Sequence, residues 1–230
     1  KDKPGATHKG YYWVYYSPLE KVVFIERKDI KLKLYQPDNQ SLDEILGRGV
    51  GYIDHFVIDV LDIDLAVENL QAKGVGYFPA TPDGPVFVPD LGEAGEKYVF
   101  LQTLNGEKLG LNQQMAMDST RRQDNLDGLA HVGIRVLDIK PLEHFYKKFG
   151  FETLNKEKVP LGDIEIELST WRLNGFDLEF VKFIGGDPKE VKQRKDGLID
   201  HMTFSVLDIE RAFDEMVAKE MNPIESATVF

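Results

Sequence analysis

The sequence predicts an α+β protein of tandem βαβββ modules, arranged as two paired domains that each form a cupped mixed sheet with helices outside. Three observations carry this expectation. First, one phrase occurs three times: Ile-Asp-His-Phe-Val-Ile-Asp-Val-Leu-Asp-Ile at 53–63, Leu-Ala-His-Val-Gly-Ile-Arg-Val-Leu-Asp-Ile at 129–139, and Ile-Asp-His-Met-Thr-Phe-Ser-Val-Leu-Asp-Ile at 199–209. His55, His131 and His201 therefore occupy equivalent places, each five residues before a Val-Leu-Asp-Ile. Second, a shift of 146 residues carries His55 onto His201, Asp62 onto Asp208, Ala66 onto Ala212, Lys73 onto Lys219 and Lys33 onto Glu179. Third, Leu104-Asn105-Gly106 and Leu173-Asn174-Gly175 open matching stretches, and their alignment sets Gly110 in the place of Glu179.

The elements follow in order. Residues 1–10 are polar, with Pro4 and Gly5, and read as a frayed end. Tyr11 to Tyr16, Val22 to Ile25 and Ile30 to Tyr35 are β-branched, aromatic or alternating, and read as strands. Pro37-Asp38-Asn39 marks a turn, and 41–47 a short helix. A strand over 52–60 precedes a helix capped by Asp62 and stopped near Gly74, with Ile63, Ala66, Val67 and Leu70 on one face. Residues 79–95 are rich in Pro and Gly and read as a long irregular loop. Strands Tyr98 to Leu104 and Lys108 to Asn112 meet at Asn105-Gly106, a hairpin signal. The order then restarts: a strand at 129–136, a helix from Asp138 to Gly150, and strands at 164–173 and 176–183 joined by Asn174-Gly175. Residues 188–195 read as a solvated helix, 198–206 as a strand and 208–220 as a helix. Expected domains are 1–115 and 128–230, with 116–127 as linker. Each holds one incomplete module: the first lacks its opening strand and helix, the last its closing strands.

One helix covers one face of a small sheet, so the other face must meet a neighbouring module or a ligand. Period-2 alternation assigns the faces. Val132, Ile134, Val136, Leu178, Phe180, Met202, Phe204 and Val206 fall on helix-facing sides. His131, Glu179 and His201 fall on the opposite side and are expected to project into one cavity, with Arg135, Thr203 and Ser205 as polar lining.

Composition bounds the rest. A chain of 230 residues, 42% hydrophobic, can bury a sizeable core. It has no cysteine, so disulfide and thiolate chemistry are excluded, and the expectation is a cytoplasmic protein. A net charge of −11 argues against nucleic acid or an anionic membrane as partner, and no apolar run reaches the roughly 20 residues of a membrane helix.

These residues resemble the vicinal oxygen chelate superfamily, which includes glyoxalase I, methylmalonyl-CoA epimerase, extradiol dioxygenases and bleomycin-resistance proteins. The likeness rests on the His-bearing strand before Val-Leu-Asp-Ile, on Gly175-Phe176-Asp177-Leu178-Glu179-Phe180, on Phe145 to Phe151, and on residues 41–51 before the next His strand. It covers about 30–230, nearly the whole chain. The resemblance implies paired modules around a divalent metal, with His131, Glu179 and His201 as ligands and a fourth beyond residue 230. Zn²⁺, Ni²⁺, Co²⁺, Mn²⁺ and Fe²⁺ all suit such a donor set. The first pair, with Lys33, His55 and Gly110 at those places, is expected to hold no metal.

The implied activity is isomerase- or lyase-type proton-shift chemistry on a small carbonyl or thioester substrate, with Glu179 doubling as base. An Fe(II) ring-cleaving or 4-hydroxyphenylpyruvate-type dioxygenase is the alternative enzyme, and a resistance-type small-molecule binder the non-catalytic one. The expected assembly is a monomer or homodimer.

Overall fold

A computed structural model describes residues 7–9, 12–17, 22–27, 30–35, 43–44, 51–103, 106–116, 126–161, 164–185, 197–199 and 201–221. The chain divides into two compact units, Lys1–Gly49 with His55–Ala130, and Val50–Asp54 with His131–Phe230.

The first unit contains an antiparallel sheet of four strands in chain order: β1 (Thr7–Lys9), β2 (Tyr12–Ser17), β3 (Val22–Arg27) and β4 (Ile30–Tyr35). The three aromatic and β-branched runs are strands as expected. Thr7–Lys9, expected to be frayed, instead forms a ladder with Val14 to Tyr12, because the adjoining strand offers backbone partners that composition does not reveal. Asp43 and Glu44 are helical; the rest of the short helix expected at 41–47 lies outside the described residues.

The same unit then builds β5 (Ile53–Val60), α1 (Ile63–Gln71), β6 (Gly76–Tyr77), β7 (Val86–Val88), β8 (Glu96–Gln102) and β9 (Lys108–Gln114). The sheet order β5-β9-β8-β6, with β5 parallel to β9, is one βαβββ module. β7 lies in the loop expected to be irregular; its three residues pair with Tyr98 to Glu96 on the edge of β8. Asp62 caps α1 by accepting the Leu65 N–H at 3.0 Å, and Gly74 turns the chain at φ 86°. Val60, Ile63, Ala66, Val67, Val99, Leu101 and Leu111 form the core between helix and sheet.

The second unit repeats the pattern with β10 (Leu126–Arg135), α2 (Ile139–Phe149), β11 (Glu152–Leu161), β12 (Ile164–Leu173) and β13 (Phe176–Ile184), in the order β11-β12-β13-β10. Here too the first and last strands run parallel, Val132 to Arg135 opposite Leu178 to Val181. Asp138 caps α2 and Gly150 ends it at φ 101°. Asn174 and Gly175 take φ 50° and 82°, the two left-handed conformations that a tight hairpin between right-twisting strands requires. The helix side of the sheet holds Trp171, Leu178 and Phe180, all fully buried, with Tyr146 of α2 at 5.1 Å from Phe180.

A third helix, α3 (Ile209–Ala218), starts where expected, with Asp208 accepting the Arg211 N–H at 3.0 Å. The strand expected at 198–206 does not form among the described residues: 201–206 belong to no ladder. In the two complete modules this strand is held by a parallel partner from its own meander. The helix expected at 188–195 lies outside the described residues. No helix among the described residues is long and apolar enough to cross a membrane.

Candidate metal centre

The site of interest is the face of the second unit's sheet turned away from α2. The ladders fix its lining. Gly133 lies opposite Glu179, Thr170 opposite Glu179 on the other side, Leu168 opposite Val181, and Glu157 opposite Leu168. Alternation therefore puts His131 and Arg135 of β10, Glu179, Val181 and Phe183 of β13, Ile166, Leu168 and Thr170 of β12, and Glu157 and Val159 of β11 on one surface. Ile166, Leu168 and Val181, with Val159 and Phe183 against them, form its apolar half.

His131 and Glu179 meet on that surface. His131 Nε2 stands 3.6 Å from Glu179 Oε1, and both side chains are about four-fifths buried, 21% and 17% exposed. Two donors on one tetrahedral ion with bonds of about 2.1 Å lie about 3.4 Å apart, so the pair has the spacing and chemistry to share a divalent cation. Arg135, four residues on from His131, is buried with its guanidinium stacked over the ring of Phe183.

His201 is not brought to this pair. It lies at the surface with Thr203 and Ser205, all exposed, on the segment 201–206 that forms no strand.

Two features escaped the sequence reading. Glu157 shares the surface with Glu179, and its carboxyl is held above the ordinary value of 4.5 by burial first and by the charge of Glu179 second, partly offset by a hydrogen bond from Asn155. Its signal was alternation in Asn155, Glu157 and Val159, obscured by the lysines between them. The other is the bidentate pair of Arg172 with Asp177, whose Nε and Nη2 donate to the two carboxylate oxygens at 2.7 Å.

The raised Glu157 gives a pH prediction. A carboxyl whose folded pKa exceeds its unfolded one disfavours the fold once ionised. Its penalty is absent below the unfolded value, grows as pH rises through the folded one, and is complete above it. Glu157→Gln should therefore raise the melting temperature at pH 7 and leave it unchanged near pH 3; equal shifts at both pH values would contradict this.

In the first unit the corresponding face is built differently. His55 is buried and meets the Phe100 ring edge-to-face at 5.0 Å. Gly110 occupies the place of Glu179. A Cβ there would lie 2.6 Å from Val57 Cγ2 and 3.2 Å from Phe100 Cε1, so neighbouring side chains already fill the space a ligand carboxylate would need.

Parallel first and last strands, a three-strand meander and an outer helix, repeated in both units, define the vicinal oxygen chelate fold, and this chain has it. Two crystal structures of glyoxalase I variants from Zea mays match it with TM-scores of 0.52 at 19% identity. They cover 81% and 76% of this chain, and 58% and 56% of their own. Methylmalonyl-CoA epimerase from Mycobacterium tuberculosis matches with a TM-score of 0.43 at 17% identity, over 63% of this chain and 94% of its own. The chain thus spans 56% to 58% of the length of the maize enzymes it matches. No protein-family model and no curated protein matches the sequence.

Proposed function

We propose that the protein is a divalent-metal-dependent enzyme that shifts a proton on a small carbonyl or thioester substrate. The observation that carries this reading is the His131–Glu179 pair, an imidazole and a carboxylate at 3.6 Å on a half-apolar sheet face. The maize proteins of the same fold are glyoxalase I enzymes, which supports chemistry of this class. His131 and Glu179 would hold the ion, and His201 is the proposed third ligand by its equivalence to His131 in the repeat. Zn²⁺, Ni²⁺, Co²⁺, Mn²⁺ and Fe²⁺ are all compatible with these donors.

A bound divalent ion supplies Lewis acidity, which lowers the cost of a carbanion next to a carbonyl. Glu179 is the base. Its carboxylate accepts the proton from the carbon beside the carbonyl, the C–H pair moves into the enolate, and the same carboxyl returns the proton to the neighbouring carbon. Arg135 lines the pocket from β10, and Thr203 and Ser205 add hydroxyls if 201–206 closes over it. The apolar residues Ile166, Leu168 and Val181 exclude water from the reacting carbon.

Solvent deuterium incorporation tests this reading. Purified protein loaded in turn with each candidate metal is incubated in ²H₂O with small 2-oxo aldehydes plus a thiol, and with acyl thioesters bearing an acidic α-proton. Exchange at the carbon beside the carbonyl, dependent on added metal, is the expected result. Stoichiometric metal binding with no exchange on either substrate class would favour a non-catalytic binding protein instead.

A further inference from the structure

Strand β11 changes face partway along. Thr153 lies opposite Trp171 and Asn155 opposite Thr170, so Leu154 is an extra residue in the ladder, a β-bulge. Beyond it the register holds, with Glu157 opposite Leu168 and Val159 opposite Ile166. Continued without the bulge, the Thr153–Trp171 register would set Glu157 opposite Glu167 on the α2 side. Lys156 and Lys158 would then face the surface of the His131–Glu179 pair. The bulge reverses this, because a slip of one residue exchanges the two faces of a strand. The lysines turn to the α2 side, where Lys156 pairs with Glu143 and Lys158 with Glu165. Glu157 turns inward.

One cross-strand row then runs Arg135, Val181, Leu168, Glu157 across β10, β13, β12 and β11. Strands lie about 4.8 Å apart, so roughly 14 Å separate the backbones of its two charged ends. The Arg135 guanidinium is stacked on Phe183, and Glu157 makes no ion pair with any described residue. Asn155 Nδ2 donates to Glu157 Oε1, and Oε2 accepts no hydrogen bond from a described residue. Burial and the charge of Glu179 both disfavour the ionised carboxyl. The bulge thus aims an acid, in place of two bases, at a half-apolar surface that already holds a carboxylate. Such a group lacks a counter-charge, and the described side chains do not supply one.

We propose that Glu157 is a specificity-determining residue that receives a protonated amino group of the substrate, whose reacting carbon lies at Glu179. This rests on the proton-shift reading for the identity of the bound molecule. Two strand spacings and one two-residue step put the Cα atoms of Glu157 and Glu179 roughly 12 Å apart. A substrate with the amine a few bonds from the reacting carbon spans that gap across Leu168 and Thr170, once each carboxylate makes its own contact of about 2.8 Å. An ammonium group compensates both the burial of Glu157 and the charge of Glu179. A neutral N–H or O–H donor leaves that charge in place.

Two probes separate charge from shape: the 2-oxopropyl thioethers of 2-(dimethylamino)ethanethiol and of 3-methylbutane-1-thiol, which differ by an N–H cation in place of a C–H. Both carry an acidic carbon between carbonyl and sulfur. Calorimetry on the metal-free and metal-loaded chain measures binding, and exchange in ²H₂O measures turnover. The wild-type chain should bind the amine at least about tenfold more tightly, as a charge-assisted hydrogen bond to a half-buried carboxylate allows. Glu157→Gln should bring the two affinities to within about twofold, with the neutral probe and the metal content unchanged. Glu179→Gln should keep the preference. Equal affinities in the wild type, including none for either probe, or a preference that survives Glu157→Gln, overturn the proposal. A preference for the amine without exchange of either probe overturns the proton-shift reading and leaves Glu157 as a cation-binding residue. Metal-dependent exchange of both probes with equal affinity does the reverse.

Discussion

Glu179→Gln is expected to remove metal binding and to lower catalysed proton exchange by about 10² to 10⁴, the range that a positioned general base contributes. The substitution keeps the shape of the side chain and removes its charge. The charge has two roles in the proposed site. It offsets the cost of holding a cation on a surface that also contains Ile166, Leu168 and Val181, and it is the proton acceptor. Glu179 sits on a central strand, between β10 and β12, with Gly133 and Thr170 as cross-strand neighbours. Neither needs the carboxylate, so folding should survive. Metal content by elemental analysis and exchange by NMR report the two roles separately. A variant that keeps its metal but loses exchange would assign Glu179 as base only; one that keeps both would remove it from the mechanism.

Phe180→Ala, one residue further along the same strand, should act through the opposite face and the opposite property. Phe180 is fully buried, packed with Tyr146 at 5.1 Å and Trp171 at 6.5 Å on the side covered by α2. Truncating a buried phenylalanine costs about 3–5 kcal/mol, from lost transfer energy and from the cavity left behind. That is a large share of the roughly 5–15 kcal/mol that holds a domain together. Urea denaturation followed by tryptophan fluorescence measures it, since Trp171 lies in the same cluster. A cost below about 1 kcal/mol would mean that the helix does not pack on this face as described. The contrast between neighbouring residues, one acting on chemistry and one on stability, follows from strand alternation alone.

How much of this was legible in the sequence depended on the kind of interaction involved. The aspartate caps at Asp62, Asp138 and Asp208 and the Asn174-Gly175 turn are local, and they stand where the sequence placed them. Strands buried on one face, such as β13, announced themselves by alternation. β11 did not. It is an edge strand, and Lys156, Lys158 and Pro160 suit an edge, where they block further pairing, yet read as loop. Glu157 was missed with it. β7 was hidden in the same way, as three residues inside a stretch rich in proline and glycine.

The third copy of the phrase teaches the opposite lesson. Its residues match the other two, but 201–206 form no strand, because a strand exists through its ladder partners rather than its own sequence. His201 thus sits at the surface while His131, its equivalent, stands beside Glu179. Sequence assigned the residue type and the face; pairing decided whether the face was built.

The claim that His131 and Glu179 form a metal centre is tested most directly by the metal content of the purified protein and of His131→Ala. After equilibration with each candidate divalent ion and gel filtration, about one equivalent of one transition metal should remain on the wild-type chain. His131→Ala should retain less than about a tenth of that, because the variant loses one of the two donors that meet on this surface. Less than a tenth of an equivalent on the wild type, or a content unchanged by His131→Ala, would contradict the account.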